Sequence, residues 1–319
     1  MMNEDEITCP VYVIEGFLDS GKTSFINFTV GQDYFDIGGL TLLLICEQGE
    51  EEYDRTFLLN HRTLPVYIEE KEDLTLEKLN ALRRQYRPER VLIEYNSFWS
   101  VKELEEAPMP EGWGIVQELV LVDASTFLTY MTNMKSLFME MARNADMLTF
   151  NRCKADMPLA NFRMSIKVAN PSCEVLFEDN NGDIIDLFEN SLPYDMNADV
   201  IEIDDADFGI FYVDVQDNTE KYIGKNVRIH GQVYKAPGMD ADLFLPGRTA
   251  MTCCAADMQV IGYLCRSKQA RRLKARSWVT VTGEIRFEYV DEYGEKGPVI
   301  YATKIEDAEP AKNEWVSFS

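Results

Sequence analysis

The segment Gly16-Phe-Leu-Asp-Ser-Gly21-Lys22-Thr23 restricts the fold more than any other feature of the sequence. It matches the pattern GxxxxGK[ST], with an apolar run before it at 11–15 and helical spacing after it at 23–30. In such a loop, glycines let the backbone turn so that consecutive N–H groups point at phosphate oxygens, and the following helix N-terminus adds partial positive charge. The sequence therefore predicts a phosphate-binding loop; an accidental glycine-rich turn is the alternative.

The loop pattern assigns individual roles to its residues. Lys22 is predicted to reach the β and γ phosphates, and Thr23 is predicted to offer its hydroxyl to Mg²⁺. With Glu94, these two side chains form the predicted catalytic set. The predicted nucleotide-binding residues in the loop and at the start of the helix are Gly16, Asp19, Ser20, Gly21, Lys22, Thr23 and Ser24.

Acidic residues that follow apolar runs are the candidate magnesium ligands. Glu94 ends the run 90–94, where a carboxylate would hold Mg²⁺ or its water; a solvated strand end is the alternative. Glu47 and Asp54 lie in the loop after the run 40–46, at the predicted ligand-binding edge of a sheet, unless that loop is simply solvated. Asp123 either lies on the same edge or caps the next helix.

Segment types change along the chain. Strand-like and helix-like segments alternate up to about residue 180, which predicts a mostly parallel α/β sheet with helices on both faces. We place a domain boundary near residue 195, giving domains 1–195 and 196–319. Past it, five strand-like segments with one helical piece between the third and fourth predict an all-β, OB-like barrel. These five strands are predicted at 226–236, 243–253, 258–265, 277–289 and 298–308, with the helical piece at 268–275.

Composition limits the class of protein. No apolar run reaches the roughly 20 residues of a membrane helix, and the acidic start MMNEDEITCP is unlike a secretory signal. The seven cysteines are scattered without a disulfide framework, so we expect a cytoplasmic protein. A net charge of −24 repels nucleic-acid phosphates, so we expect no nucleic-acid partner.

The motifs, taken in order, resemble those of the CobW-type (CobW/HypB/UreG) P-loop GTPases. The family's loop GFLGxGKT corresponds to GFLDSGKT at 16–23. The further matches are Cys46-Glu-Gln-Gly49 leading to Asp54, Glu94-Tyr-Asn-Ser97, LVLVDASTF (119–127), Asn151-Arg-Cys-Lys154 and Asn170-Pro171. The resemblance implies GTP and Mg²⁺ as ligands, with Asn151 and Arg152 as further nucleotide-binding residues. It also implies GTP hydrolysis and a metallochaperone role in divalent-metal homeostasis, with zinc as the metal.

Three positions depart from the family pattern. No Cys-x-Cys-Cys metal motif follows Asp54. Lys154 stands where the family has the aspartate that reads guanine, and Asp156 lies two residues further on. Ser97 replaces the glycine of the second switch but keeps an N–H for the γ-phosphate.

Residues 221–310 resemble the C-terminal domain of YcgQ-like proteins, which accompany a predicted permease. The two resemblances together imply a metalloprotein or permease client, and the methionine-rich helix at 131–141 leaves a homodimer open. The adjacent thiols Cys253 and Cys254 are candidate zinc ligands, to which Cys265, His230 or Asp257 could add. The alternative is that the pair is one buried and one surface residue.

The sequence as a whole predicts a Mg²⁺-dependent GTPase. One alternative is an adaptor that binds nucleotide without hydrolysing it and works through the OB-like domain. Another, suggested by Lys154, is an ATPase of related fold.

Overall fold

A computed structural model describes residues 7–185, 192–251 and 258–316. Contacts divide the chain into two compact units: residues 1–157 with 169–185, and residues 158–168 with 186–319. Within the described residues, no helix has both the length and the apolar character needed to cross a membrane.

The first unit is built on a seven-stranded sheet in which every neighbouring pair is parallel. Its strand order is β3-β2-β4-β1-β5-β6-β7. The strands are β1 (Cys9–Glu15), β2 (Thr41–Ile45), β3 (Thr63–Tyr67), β4 (Arg90–Glu94), β5 (Trp113–Asp123), β6 (Met147–Asn151) and β7 (Glu174–Phe177). All five residues of β2 and of β4 are buried, which explains the apolar runs at 42–45 and 91–93. The predicted parallel α/β sheet is confirmed.

Helices connect these strands. They are α1 (Lys22–Val30), α2 (Arg55–Asn60), α3 (Leu76–Tyr86), α4 (Val101–Glu106), α5 (Phe127–Asn133), α6 (Lys135–Asn144) and α7 (Leu159–Ala169). One prediction is corrected here: the single helix expected over 125–144 is two helices, α5 and α6. They are separated at Met134, whose φ of −134° and ψ of 31° are not helical.

The order of the strands determines where the loops of the first unit meet. β1 lies between β4 and β5, so the chain leaving β1 emerges between the carboxyl ends of those two strands. β2 pairs with β4 and β6 pairs with β5, which brings the ends of five strands to one edge. Ligands bind at this edge in open parallel sheets.

The second unit contains a closed five-stranded barrel, as predicted. β10 pairs with both β9 and β12, β14 joins β12 to β13, and β13 returns to β9. The β12–β14 pair is parallel, and the piece between β12 and β13 is a short 3-10 helix at Lys268–Arg272. The strands are β8 (Ile201–Glu202), β9 (Asn226–Tyr234), β10 (Leu243–Met251), β11 (Met258–Ile261), β12 (Leu264–Arg266), β13 (Trp278–Val290), β14 (Glu295–Asp307) and β15 (Trp315–Val316).

The second unit also contains helices that were not predicted from the sequence. They are α8 (Phe208–Asp217) and α9 (Thr219–Tyr222), and α7 groups with this unit as well. Phe208, Phe211 and Val215 of α8 belong to the same buried core as the inward-facing residues of β9 and β13. The run predicted as one strand at 258–265 is divided into β11 and β12 at Gly262, which has a φ of 153°.

Candidate functional site

The phosphate-loop motif is a loop between β1 and α1. Gly16 and Gly21 have φ values of 134° and 98°, and Asp19 has 60°, all in the region that favours glycine. A Cβ at Gly16 would lie 2.2 Å from the carbonyl oxygen of Leu121, so a side chain does not fit there. Gly21 is the N-cap of α1, and no side chain caps this helix end within the described residues. The first N–H groups of α1 are therefore available to an anion.

Lys22 connects the loop to the strand-edge residues. Its side chain is buried, and its Nζ donates to the carbonyl oxygens of Gly16 (2.7 Å) and Phe17 (3.1 Å). The same Nζ makes a 2.6 Å ion pair with Oε2 of Glu47, in the loop after β2. Oε1 of Glu47 accepts a 2.8 Å hydrogen bond from the hydroxyl of Ser97, after β4. Glu47 thus connects the loop lysine to the Glu94–Ser97 segment.

Thr23 and Glu94 form the second contact of the site. The Thr23 hydroxyl donates to Oε1 of Glu94 at 3.0 Å, and the Tyr53 hydroxyl donates to Oε2 at 2.8 Å. Burial raises the pKa of Glu94, although the two hydroxyls and the nearby Lys22 oppose it. Tyr53 was not among the residues predicted for the site, because the candidates in that loop were all acidic.

These side chains surround a cleft of about 230 Å³. Its lining residues are Leu18, Asp19, Gly21, Lys22, Thr23, Glu47, Gly49, Glu50, Glu51, Glu94 and Arg152. The Ser24 hydroxyl donates to Glu51 beside it. Asp54 is not among the lining residues: its Oδ1 caps α2, accepting from the N–H groups of Thr56 (2.8 Å) and Phe57 (3.2 Å). Its assignment to Mg²⁺ stays a prediction.

Asn151 and Arg152, at the end of β6, hold the other side of the phosphate loop. Asn151 Nδ2 donates to the Ser20 carbonyl at 2.7 Å, and Arg152 donates to the Asp19 carbonyl at 3.0 Å. Arg152 also pairs with Asp123 Oδ2 at 2.5 Å. Burial opposes ionisation of Asp123, but hydrogen bonds from Ser125 and Arg152 keep its pKa below the ordinary value. Asp123 therefore lies at the predicted edge and orients Arg152.

A second, larger cavity of about 670 Å³ opens beside Asn151 and Arg152. Its floor is apolar, formed by side chains of α1 and of the sheet, among them Phe25, Leu119 and Met147. The segment Glu178–Gly182, after β7, forms its polar side. Neither Lys154 nor Asp156 lines this cavity, and both are exposed.

The candidate zinc ligands are not brought together in the described part of the chain. Cys253, Cys254 and Asp257 lie outside the described residues. Cys265 is buried in the barrel core, and burial raises the pKa of its thiol. His230 contacts Asp205 Oδ1 (2.9 Å) and the Glu309 carbonyl (3.0 Å). Across the described ranges, no group of three or more His, Cys, Asp or Glu side chains is arranged to hold a metal ion.

The second unit is similar to one known family. Residues 186–317 match the family described as DUF1980 C-terminal domain. No curated protein matches the sequence. The strand order and the family match agree with the two-part organisation expected from the sequence, a parallel α/β domain that carries the phosphate loop, followed by a separate C-terminal domain.

Several solved structures are similar to the chain. The hydrogenase maturation factor HypB from Archaeoglobus fulgidus is 17% identical, with 55% of this chain and 83% of that one covered and a TM-score of 0.41. Zn(II)-bound YjiA GTPase from E. coli is 20% identical, with coverages of 58% and 60% and a TM-score of 0.40. HypB from Helicobacter pylori in complex with nickel is 15% identical, with coverages of 56% and 81% and a TM-score of 0.34.

Proposed function

We propose that the first unit binds and hydrolyses a Mg²⁺-bound nucleoside triphosphate, with GTP as the nucleotide. One observation carries this proposal: the uncapped start of α1, the Lys22 ammonium and the Thr23–Glu94 pair converge on a single cleft. Backbone amides and a lysine bind phosphate oxygens, and a hydroxyl next to a carboxylate suits the cation that accompanies them.

Binding would begin with an exchange of partners at Lys22. The ammonium is held by Glu47 in an ion pair whose side chains are 4% and 8% exposed. A triphosphate in the cleft carries more negative charge than one carboxylate, so it would compete with Glu47 for Lys22. The two backbone carbonyls that also hold Nζ would keep the lysine in place during this exchange.

The oxygen donors of the cleft fit magnesium. Thr23 and Glu94 would hold it directly or through water, and Glu47, once released from Lys22, lines the same cleft. Bound Mg²⁺ would supply charge neutralisation at the β and γ oxygens. The sharing of Glu94 between Thr23 and Tyr53 fixes both of its oxygens, so the carboxylate is oriented before the nucleotide arrives.

For hydrolysis, the chain offers charge stabilisation rather than covalent chemistry. Lys22 and the amides of the loop would stabilise the charge that develops on the phosphoryl oxygens. Ser97 retains a backbone N–H, which at present donates to Glu47 at 3.3 Å. When Glu47 moves away, this N–H becomes available to the γ-phosphate.

The same exchange would couple the nucleotide to the surrounding loops. Glu47 contacts both Lys22 and Ser97, so its displacement would alter the loops after β2 and β4 together. We propose that this movement serves the handling of a divalent metal, zinc in the first instance, or the docking of a metalloprotein or permease client. The resemblance of the motifs, in their order along the chain, to those of the CobW-type GTPases supports this proposal of metal handling. Cys253 and Cys254 are its candidate zinc ligands.

The first experiment is nucleotide binding and turnover with Lys22→Ala. We expect the wild type to bind GTP in the presence of Mg²⁺ and the variant to lose binding, measured by calorimetry on the full chain. Lys102→Ala is the matched control, since Lys102 is an exposed lysine on α4 of the same unit. Normal GTP affinity in Lys22→Ala would refute the assignment. Binding without turnover above background would favour the non-hydrolysing adaptor.

A further inference from the structure

We infer that Glu178 reads the Watson–Crick edge of guanine, in place of the aspartate expected at position 154. This inference rests on the proposed function and specifies its base. It makes Glu178 the residue that separates GTP from ATP, a role that neither Lys154 nor Asp156 fills.

The strand register places Glu178 beside Asn151. Phe150 pairs with Phe177 across β6 and β7, and their rings stack 5.1 Å apart on one face of the sheet. Because side chains alternate along strands, the next residues, Asn151 and Glu178, lie together on the opposite face. Both line the 670 Å³ cavity next to the phosphate loop.

Backbone hydrogen bonds fix this arrangement. The Glu178 N–H donates to the Phe150 carbonyl at 2.8 Å, and the Cys153 N–H donates to the Glu178 carbonyl at 2.9 Å. Glu178 is therefore held on both sides of Asn151-Arg152, the dipeptide that contacts the phosphate loop. A nucleotide whose phosphates lie at Lys22 would bring its base to this cavity.

Of the two carboxylates that line the cavity, Glu178 is the one available to a ligand. Asp179 accepts hydrogen bonds from the N–H groups of Asn181 (2.7 Å) and Asp183 (3.0 Å), which form its turn. Within the described residues, the Glu178 carboxylate has no such hydrogen bond, and it is half-buried. Burial alone raises the pKa of Glu178, as expected for a carboxylate without a compensating donor.

The chemistry of the bases then gives the specificity. Guanine presents two adjacent donors, N1–H and the 2-amino group, and a carboxylate can accept both. Adenine presents an acceptor at N1 and no 2-amino group. It would therefore leave the half-buried carboxylate of Glu178 without a donor and facing the lone pair of N1. Sites built to hydrogen-bond a ligand group reject analogues that lack it, because their own polar groups are then unpaired.

The first test of the role of Glu178 is the nucleotide preference of the wild-type chain. Inosine triphosphate lacks the 2-amino group but is otherwise close to GTP, so we expect it to bind about 10-fold more weakly, the effect of one lost charged hydrogen bond. ATP should bind about 100-fold more weakly than GTP or worse. Equal affinities for GTP, inosine triphosphate and ATP would overturn the role of Glu178 and leave nucleotide binding itself standing.

The matched variants are Glu178→Gln and Asp156→Asn, each replacing a carboxylate by its amide. In Glu178→Gln, GTP affinity should fall about 10- to 100-fold. Xanthosine triphosphate should gain affinity, because its 2-oxo group can accept from the new amide while N1–H still donates. Asp156→Asn should change neither the affinity for GTP nor the affinity for xanthosine triphosphate. A shift of preference from GTP towards xanthosine triphosphate in Asp156→Asn, or no such shift in Glu178→Gln, contradicts the inference. A wild type that binds no nucleotide contradicts the proposed function instead.

Discussion

Glu118, in the middle of β5, has a buried carboxylate that should lower the stability of the protein at neutral and alkaline pH. The residue is 8% exposed, and its Oε2 has no hydrogen-bond partner among the described residues. Burial, followed by the nearby charges of Glu105 and Asp146, raises the pKa of Glu118 to about 7. Glu118→Gln removes the ionisable group while keeping the shape of the side chain.

The size and sign of the effect follow from linkage. The folded state holds this proton more tightly than the unfolded chain, so the stability cost is absent below pH 4.5 and grows as pH rises towards 7. At about 1.36 kcal/mol per pKa unit, the interval from 4.5 to about 7 gives an upper limit of about 3.4 kcal/mol. Solvent screening of the charges around Glu118 reduces the expected gain to about 1.5 kcal/mol at pH 8.

The assay is thermal unfolding of the full chain at pH 5 and pH 8, with Glu174→Gln as the control. Glu174 is an exposed glutamate of the same sheet, on β7, so its variant should stay within about 0.5 kcal/mol of the wild type. Glu118→Gln should raise the melting temperature of the first unit by about 3–6 °C at pH 8 and by much less at pH 5. An equal gain at both pH values, or a loss at pH 8, would refute the linkage argument.

Three further outcomes are expected. Gly16→Ala should abolish nucleotide binding in calorimetry, because its Cβ would meet the Leu121 carbonyl at 2.2 Å. Glu15→Gln should stabilise the fold more at pH 8 than at pH 5 in thermal unfolding. Burial and the charge of Glu118 raise the pKa of Glu15 well above the ordinary range, and neither of its oxygens has a partner among the described residues. Arg248→Met should lower the free energy of unfolding in urea by about 2–3 kcal/mol, because a buried guanidinium that binds Asp205 and the Asn313 carbonyl is lost.

The parallel sheet and the phosphate loop could be predicted because their signals are local. Strands that are buried on both faces have apolar runs in their sequence. The loop needs glycine at positions 16 and 21, because both have positive φ values and because the Leu121 carbonyl approaches Gly16 closely. The break between α5 and α6 has no such signal. Tyr130 of α5 and Phe138 of α6 both pack on Phe17 of the phosphate loop, with ring centroids 3.9 and 6.4 Å away. This tertiary contact accompanies the break, and helical spacing alone does not reveal it.

Helix α8 was missed for a different reason. Its sequence FGIFYVDVQD is apolar on nearly all sides, and six of its ten residues are buried. A helix buried on all sides lacks the polar face that makes helical periodicity visible. The hydrogen-bond partners of Glu47 and Glu94 could not be predicted either, because they are distant in the sequence. Lys22 lies 25 residues from Glu47, and Tyr53 lies 41 residues from Glu94.

Under the proposed function, the ion pair between Lys22 and Glu47 explains why the nucleotide should affect more than its own cleft. A buried charge pair is costly to break on one side only, because the remaining charge is left without a partner. A triphosphate that takes Lys22 therefore forces Glu47 to find another cation or to move into water, and Ser97 loses its acceptor at the same moment. A divalent cation in the same cleft is the partner that Glu47 would gain. Nucleotide and metal would then favour each other's binding by the same factor, as linkage requires of two ligands that share one displaced carboxylate.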